Sequence, residues 1–222
     1  MTQPDEPPPM GAMATSPPPF LAELRLQFRP LLLGVPLLTV LTGALFPIVL
    51  AALARPLFPH EANGSLVGRE DVVVGSELIA QNFSGPGYFH PRPSAAGAGY
   101  DATASGGTNF GPANPKLRDD VREIAEAYRR TNGLSPEAVV PIDAVTRSGS
   151  GLDPHISPAN AALQVPRIAR ARRLDVDAVR LLVDEHTQGR QLGFLGESRV
   201  AVLPLNLALD RAAPSPPVPP ER

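Results

Sequence analysis

Between Arg29 and Arg55 the chain passes through Pro30 and then Leu31–Ala54, 24 residues without one charged side chain. As a helix, at about 1.5 Å per residue, such a run reaches roughly 36 Å, against a bilayer hydrocarbon core of about 30 Å. Lipid offers no partner to backbone N–H and C=O groups, so a helix is the only solution open to one segment. A buried helix of a soluble protein seldom stays apolar on every side for that length. A cleaved signal peptide is the sharper rival, because Ala52-Leu53-Ala54 fits an A-x-A cleavage pattern. Signal h-regions, however, run only about 7–15 residues. The sequence therefore predicts one transmembrane helix over residues 29–55, kinked at Pro36 and Pro47. Thr39 and Gly43, four apart, make a small-residue stripe where another helix can approach. Arg25 and Arg29 precede the span while Arg55 and Arg69 follow it. The positive-inside rule is tied on those charges, and the short leading segment favours a cytoplasmic N-terminus.

Twelve of the 28 prolines crowd the two ends of the 222-residue chain, seven in the first 20 positions and five in Arg211–Arg222. Segments so poor in large apolar groups cannot offset their ordering entropy. Residues 1–28 and 211–222 are thus expected to be disordered tails flanking the span and a single domain over 56–210. No cysteine is present, which excludes a disulfide scaffold and a thiolate nucleophile or metal site. A net charge of −2 gives no basic field for nucleic acid.

Within 56–210, His60–Gly68 reads as loop and Asp71–Ile79 as a strand pair or a strand bent at Gly75. Gln81–Pro115 has no periodicity, yet it holds Phe83, Tyr88, Phe89, Tyr100 and Phe110. That density of aromatics points to an ordered, functional loop. Asn114-Pro115 opens a helix with an apolar stripe Leu117, Val121, Ile124 and Tyr128, closed by Gly133. Ser157-Pro158 opens a second helix to about Arg173, and Asp175 a third through His186. Gln191–Leu195 and Arg199–Leu209, around a Gly196-Glu197 turn, read as a closing hairpin. Helices and strands do not alternate strictly, so the fold class is α+β, one N-terminal transmembrane helix followed by one mixed domain.

No phosphate-binding loop with its lysine, no GxSxG elbow and no HExxH occurs in the sequence. The four histidines lack ligand spacing, so no metal is expected. Asp153 and His155 could form half of a catalytic relay; the competing reading is that Asp153 orients a turn. Arg167, Arg170, Arg172 and Arg173 crowd one helix C-terminus, where cations complement the dipole. From the residues alone this is a membrane-tethered domain for interaction or assembly.

Several ordered stretches carry a resemblance. They are Leu41-Thr-Gly-Ala44, Ala62–Leu66, Gly75–Phe83, Gly87–Ser94, Ala104–Asn109, Ser148–Asp153, His155–Pro158 and Leu205–Asp210. Together, over about residues 29 to 210, the chain resembles the C subunit of the bacterial Kdp potassium-transporting ATPase. The resemblance implies a potassium-transport complex of the inner membrane with three partners. These are a channel-like potassium-binding subunit, a P-type ATPase subunit and a small single-helix subunit. It implies a cytoplasmic N-terminus, a soluble domain outside the membrane, and an assembly role without a catalytic phosphorylation site or a cofactor of its own. It also implies a catalytic-chaperone role that raises the pump's affinity for ATP, with Gln164 as the residue concerned. The competing reading of Gln164 is a helix-surface amide touching a neighbouring loop. The expected partner interface is then Thr39 and Gly43 in the span and Phe83, Tyr88, Phe89, Tyr100 and Phe110 in the long loop. The rivals are an envelope hydrolase using Asp153 and His155, and an ATP-binding regulator.

Overall fold

A computed structural model of the chain describes residues 20–69 and 72–213. Of the expected tails over 1–28 and 211–222, residues 1–19 and 214–222 lie outside the described residues. The chain divides into two compact units at Pro59/His60.

The first unit is a run of helix: α1 (Phe20–Val40), a π-helical turn (Leu41–Leu45) and α2 (Phe46–Leu57). It begins inside the segment read as tail, because Phe20–Phe28 contains good helix formers and neither Pro nor Gly. Leu26–Leu57 is long and apolar enough to cross a membrane, with a mean hydropathy of 2.3 and no part of it buried within the protein. A soluble core helix is therefore not what this segment is. Ala52-Leu53-Ala54 sits inside α2, ahead of its end. Pro36, the other expected kink, lies inside α1, whereas at Pro47 the distortion takes a specific form. Pro47 has no N–H, and its ring would crowd the carbonyl of Gly43 in an ordinary α-turn. The preceding turn widens instead, and Phe46 N–H donates to Leu41 O. Thr42 Oγ1 donates to Leu38 O at 2.7 Å.

The second unit opens with a helical turn, α3 (Pro59–Ala62), and a hairpin of β1 (Leu66–Arg69) and β2 (Val72–Ser76). The pairing is antiparallel, Leu66 opposite Ser76, with an irregularity between Val67 and Gly68. This corrects the sequence reading, which left Leu66–Gly68 as loop and carried the strand on to Ile79. Ser76 Oγ donates to Gly64 O and accepts from Leu78 N–H, ending the strand in a turn.

The stretch from Glu77 to Asn114 has no regular structure, yet it is knitted to the Ser148–Asp153 loop. Ala80 N–H donates to Leu152 O, Gly106 N–H to Ser150 O and Ser94 Oγ to Gly151 O. Gly151 has φ 69°, and a Cβ there would lie 2.6 Å from Ala96 N, so the crossing of the two loops requires glycine.

The helices predicted from caps form as expected. In α4 (Pro115–Asn132) Asn114 Oδ1 accepts from Lys116 N–H, and Gly133 closes the end at φ 66°. After α5 (Ile142–Val145) and β3 (His155–Ile156) comes α6 (Pro158–Arg172), capped by Ser157. Then follow α7 (Val176–Glu185), capped by Asp175, β4 (Thr187–Gln188) and β5 (Arg199–Ala201). The small antiparallel sheet has the order β3-β5-β4. The closing hairpin is corrected. Gln191 and Leu195 pair with each other rather than with Arg199–Leu209, β5 pairs with β3 and β4, and after Ala201 the chain turns into α8 (Val202–Ala212). Val202, Leu205 and Leu209 recur at helical spacing and are buried, and Pro204 falls in the first turn, where it is tolerated. The core packs Ile168 and Val165 of α6, Val179 of α7, Leu205 and Leu209 of α8, and Phe89 of the long loop.

Candidate functional site

The polar face of α6 is the centre of the domain. Asn160, Gln164, Arg167 and Arg172 recur every three to five residues, which places them together above the loop segment Pro86–His90. Gln164 is 1% exposed. Its Oε1 accepts from His90 N–H and from Arg167 Nη2, both at 2.8 Å. Its Nε2 donates to His90 O at 3.1 Å and to Asn160 Oδ1 at 2.9 Å. An amide has two donors and two strong acceptor positions, so the side chain is saturated. The alternative reading as a surface amide is corrected in one respect: the loop contact exists, but it is buried.

The same segment is held at each step. Arg167 Nη1 donates to Pro86 O and Arg172 Nε to Gly87 O. Asn206 of α8 accepts from Phe89 N–H and donates to Phe89 O, as Gln164 does for His90. The two arginines thus point into the domain and do more than complement a helix dipole. Arg172, with its side chain fully buried, also pairs with Asp210 at 2.8 Å and lies over the Tyr88 ring at 4.6 Å. Arg170 stays exposed and bonds Pro166 O, and Arg173 is the left-handed C-cap. Sequence reasoning missed the buried pair because arginine is mostly a surface residue. The available signal was spacing, since Arg167 sits between Val165 and Ile168, and Arg172 one turn beyond Ile168.

A second layer supports this one. Arg167 Nε donates to Asn132 Oδ1, and Tyr128 OH donates to Asn160 Oδ1 at 2.8 Å. Asp143 accepts from Asn160 Nδ2 and from Ser157 N–H and Oγ. Burial brings Arg167 down to about 10, so it remains a cation at neutral pH. Burial, with the nearby Arg167 charge, lowers His90 to about 4 despite opposing contacts from the Gly85 and Ser84 backbone. Burial, with the Asp143 charge, pushes Tyr128 upward.

Of the residues predicted at an interface, Phe83 and Tyr88 are half-buried against each other, ring centroids 5.4 Å apart. Phe89 is fully buried. Phe83, His90, Tyr100 and Tyr128 line one cleft of about 340 Å³. Tyr100 OH donates to Arg92 O, and Phe110 is half-buried outside that cleft. Thr39 and Gly43 lie exposed in the helical unit, Gly43 within the π-turn.

Asp153 and His155 do not form a relay. Asp153 Oδ1 accepts the His155 backbone N–H at 3.0 Å, while the His155 ring stands 3.6 Å away. Asp153 Oδ2 takes Arg92 Nη1 at 2.8 Å. Burial alone would raise the carboxyl, but the bonds from His155 and Arg92 outweigh it and hold it at about 2. Ser157, a hydroxyl that lines a second cleft together with Asp153 and His155, is engaged with Asp143 and the Asn160 N–H. Among the described residues no group of three His, Asp or Glu side chains is arranged to hold a metal ion.

The class these features define is an α+β domain, tied by a buried polar clamp, that follows one candidate membrane span. A family model described as the K+-transporting ATPase, c chain, matches residues 28–211. A Beijerinckia indica protein named Potassium-transporting ATPase KdpC subunit is 52% identical over 195 residues, 87% of this chain and 98% of that one. Proteins of the same name are 51% identical over 181 residues in Koribacter versatilis (80% and 91%) and 50% over 188 in Mycobacterium bovis BCG (85% and 100%). The chain belongs to the KdpC family, the C subunits of potassium-transporting ATPases. The hydrolase reading is not favoured, on the geometry of Asp153 and on this membership.

Proposed function

We propose that the chain is a non-catalytic accessory subunit that holds a potassium-transporting ATPase together. In this reading its helix lies in the plasma membrane with a cytoplasmic N-terminus, and its domain stands on the exterior face. The partners are the channel-like potassium-binding subunit, the P-type ATPase subunit and the small single-helix subunit. The observation that carries the proposal is the saturation of Gln164 and its neighbours by the chain's own loop. Residues that could have served chemistry fix Pro86–His90 in one shape. A loop fixed in advance loses little entropy when a partner docks, which suits a docking module. The aromatic cleft beside it and the Thr39/Gly43 stripe are the surfaces offered to the larger subunits.

The nucleotide contact that the family resemblance implies at Gln164 would have to break four hydrogen bonds at a side chain 1% exposed. Each bond broken without replacement costs about 1–3 kcal/mol. An exterior domain is also separated from cytosolic ATP by the bilayer. Gln164 is therefore proposed as a clamp on the loop. Recovery of a tagged full-length chain from membranes in mild detergent tests the function. Two larger membrane proteins are expected to accompany it in fixed ratio. A chain recovered alone, or as a soluble fragment starting at Arg55, overturns the proposal.

A further inference from the structure

Between β4 and β5 the chain leaves the domain, and every residue from Gly189 to Ser198 is exposed. The excursion is nevertheless pinned. Gln191 and Leu195 exchange both backbone hydrogen bonds at 2.9 Å, and Arg190 pairs with Glu197 across the base at 2.7 Å. Leu192, Gly193 and Phe194 are held at the tip, with φ of 52° at Leu192 and 82° at Gly193. Glycine adopts that left-handed backbone freely, whereas the Cβ of a leucine crowds its own carbonyl there. The side chains so presented are apolar and wet, Leu192 82% exposed and Phe194 69%. For the free domain the arrangement is unfavourable twice, in backbone strain and in exposed apolar surface.

We infer that this tip is an anchor that seats in an apolar pocket on another subunit of the same transporter. The inference rests on the accessory-subunit reading and gives it a contact point. Of the aromatics that the sequence singled out, Phe89 is fully buried and Phe83 and Tyr88 are half-buried against each other, whereas Leu192 and Phe194 are exposed. A pinned loop has already lost the freedom that docking would remove, and phenylalanine is enriched at the centre of interfaces. The strain favours a protein pocket over lipid. A bilayer has no fixed shape to reward one backbone geometry, and lipid-seeking segments gain from unpaired cationic flanks. Here the charge of Arg190 is answered by Glu197.

The test uses the full-length chain in its own membrane, with a photoreactive phenylalanine analogue at position 194 and, as control, at the exposed Val139. An adduct at 194 with another transporter subunit, absent at 139, is expected. Adducts only with lipid, only with a second copy of the chain, or at no more than the control level overturn the inference. In parallel, Leu192→Gly removes the side chain while relaxing the backbone. It is expected to leave the melting temperature undiminished while recovery of the other subunits falls about tenfold, as for loss of an interface anchor. If the wild-type chain brings the other subunits and L192G and F194S bring them equally well, the anchor alone is refuted. If the wild-type chain brings none, the accessory reading fails and takes the anchor with it.

Discussion

Arg172 joins three parts of the domain through one buried guanidinium, bonding Gly87 O in the long loop, Ala213 O after α8, and the Asp210 carboxylate. Removing one partner of a buried ion pair strands the other, at about 3–5 kcal/mol. Arg172→Ala should therefore lose stability of that order in chemical denaturation. Arg172→Lys should not restore it, because an ammonium cannot reproduce the guanidinium fork. Gln164→Ala should cost about 1–3 kcal/mol by orphaning the His90 backbone and Arg167, and ATP should leave the melting curve of the wild-type chain unmoved. A nucleotide-dependent upward shift, abolished in Gln164→Ala, would contradict the clamp. His90 makes the fold sensitive to pH. Its folded value of about 4 lies below the ordinary 6.5, so under pH 6.5 the unfolded chain takes up a proton that the fold resists. Stability is complete above about pH 6.5 and declines as pH falls toward 4. Asp153, depressed to about 2, acts only below its ordinary 3.8 and does not overlap that window. Urea titrations at several pH values should show the decline between 6.5 and 4, flattened in His90→Asn; an equal slope in both proteins would contradict the assignment.

Elements were legible where a short-range rule set their ends. Asn114-Pro115, Ser157-Pro158 and Asp175 marked three helix starts, and the caps bond as the rule requires. Ser157→Ala should cost about 1–2 kcal/mol, measurable by thermal denaturation, because the hydroxyl caps α6 and also donates to Asp143. A change within experimental error would mean that the cap is redundant. α8 was hidden because Ala201, its N-cap, offers no side-chain bond and follows a strand without a break. Only the spacing of Val202, Leu205 and Leu209 betrayed it. The long loop was recognisable as special from its aromatics, but its partners were not. Clamp contacts such as His90 to Gln164 span 74 residues, a separation that no local pattern encodes. The anchor tip was hidden for a related reason, since Leu192 and Phe194 read as ordinary strand residues until the backbone shows them turned outward.

At the scale of the whole molecule, an apolar helix and a domain with a filled polar interior make sense as parts of something larger. Membership in the C-subunit family of potassium-transporting ATPases supplies that larger body. The apolar segment Leu26–Leu57, whose membrane-length window is nowhere buried in its own chain, suits lipid or the company of other helices. The proposed role makes the other subunits dependent on this one for their association. The most direct measurement is the elution profile, together with potassium-stimulated ATP hydrolysis, of the transporter purified through a tag on its P-type ATPase subunit. Membranes that contain this chain would be compared with membranes that lack it. The account predicts an intact, potassium-responsive complex only when the chain is present, and separated subunits without it; an intact and responsive complex in its absence would contradict it.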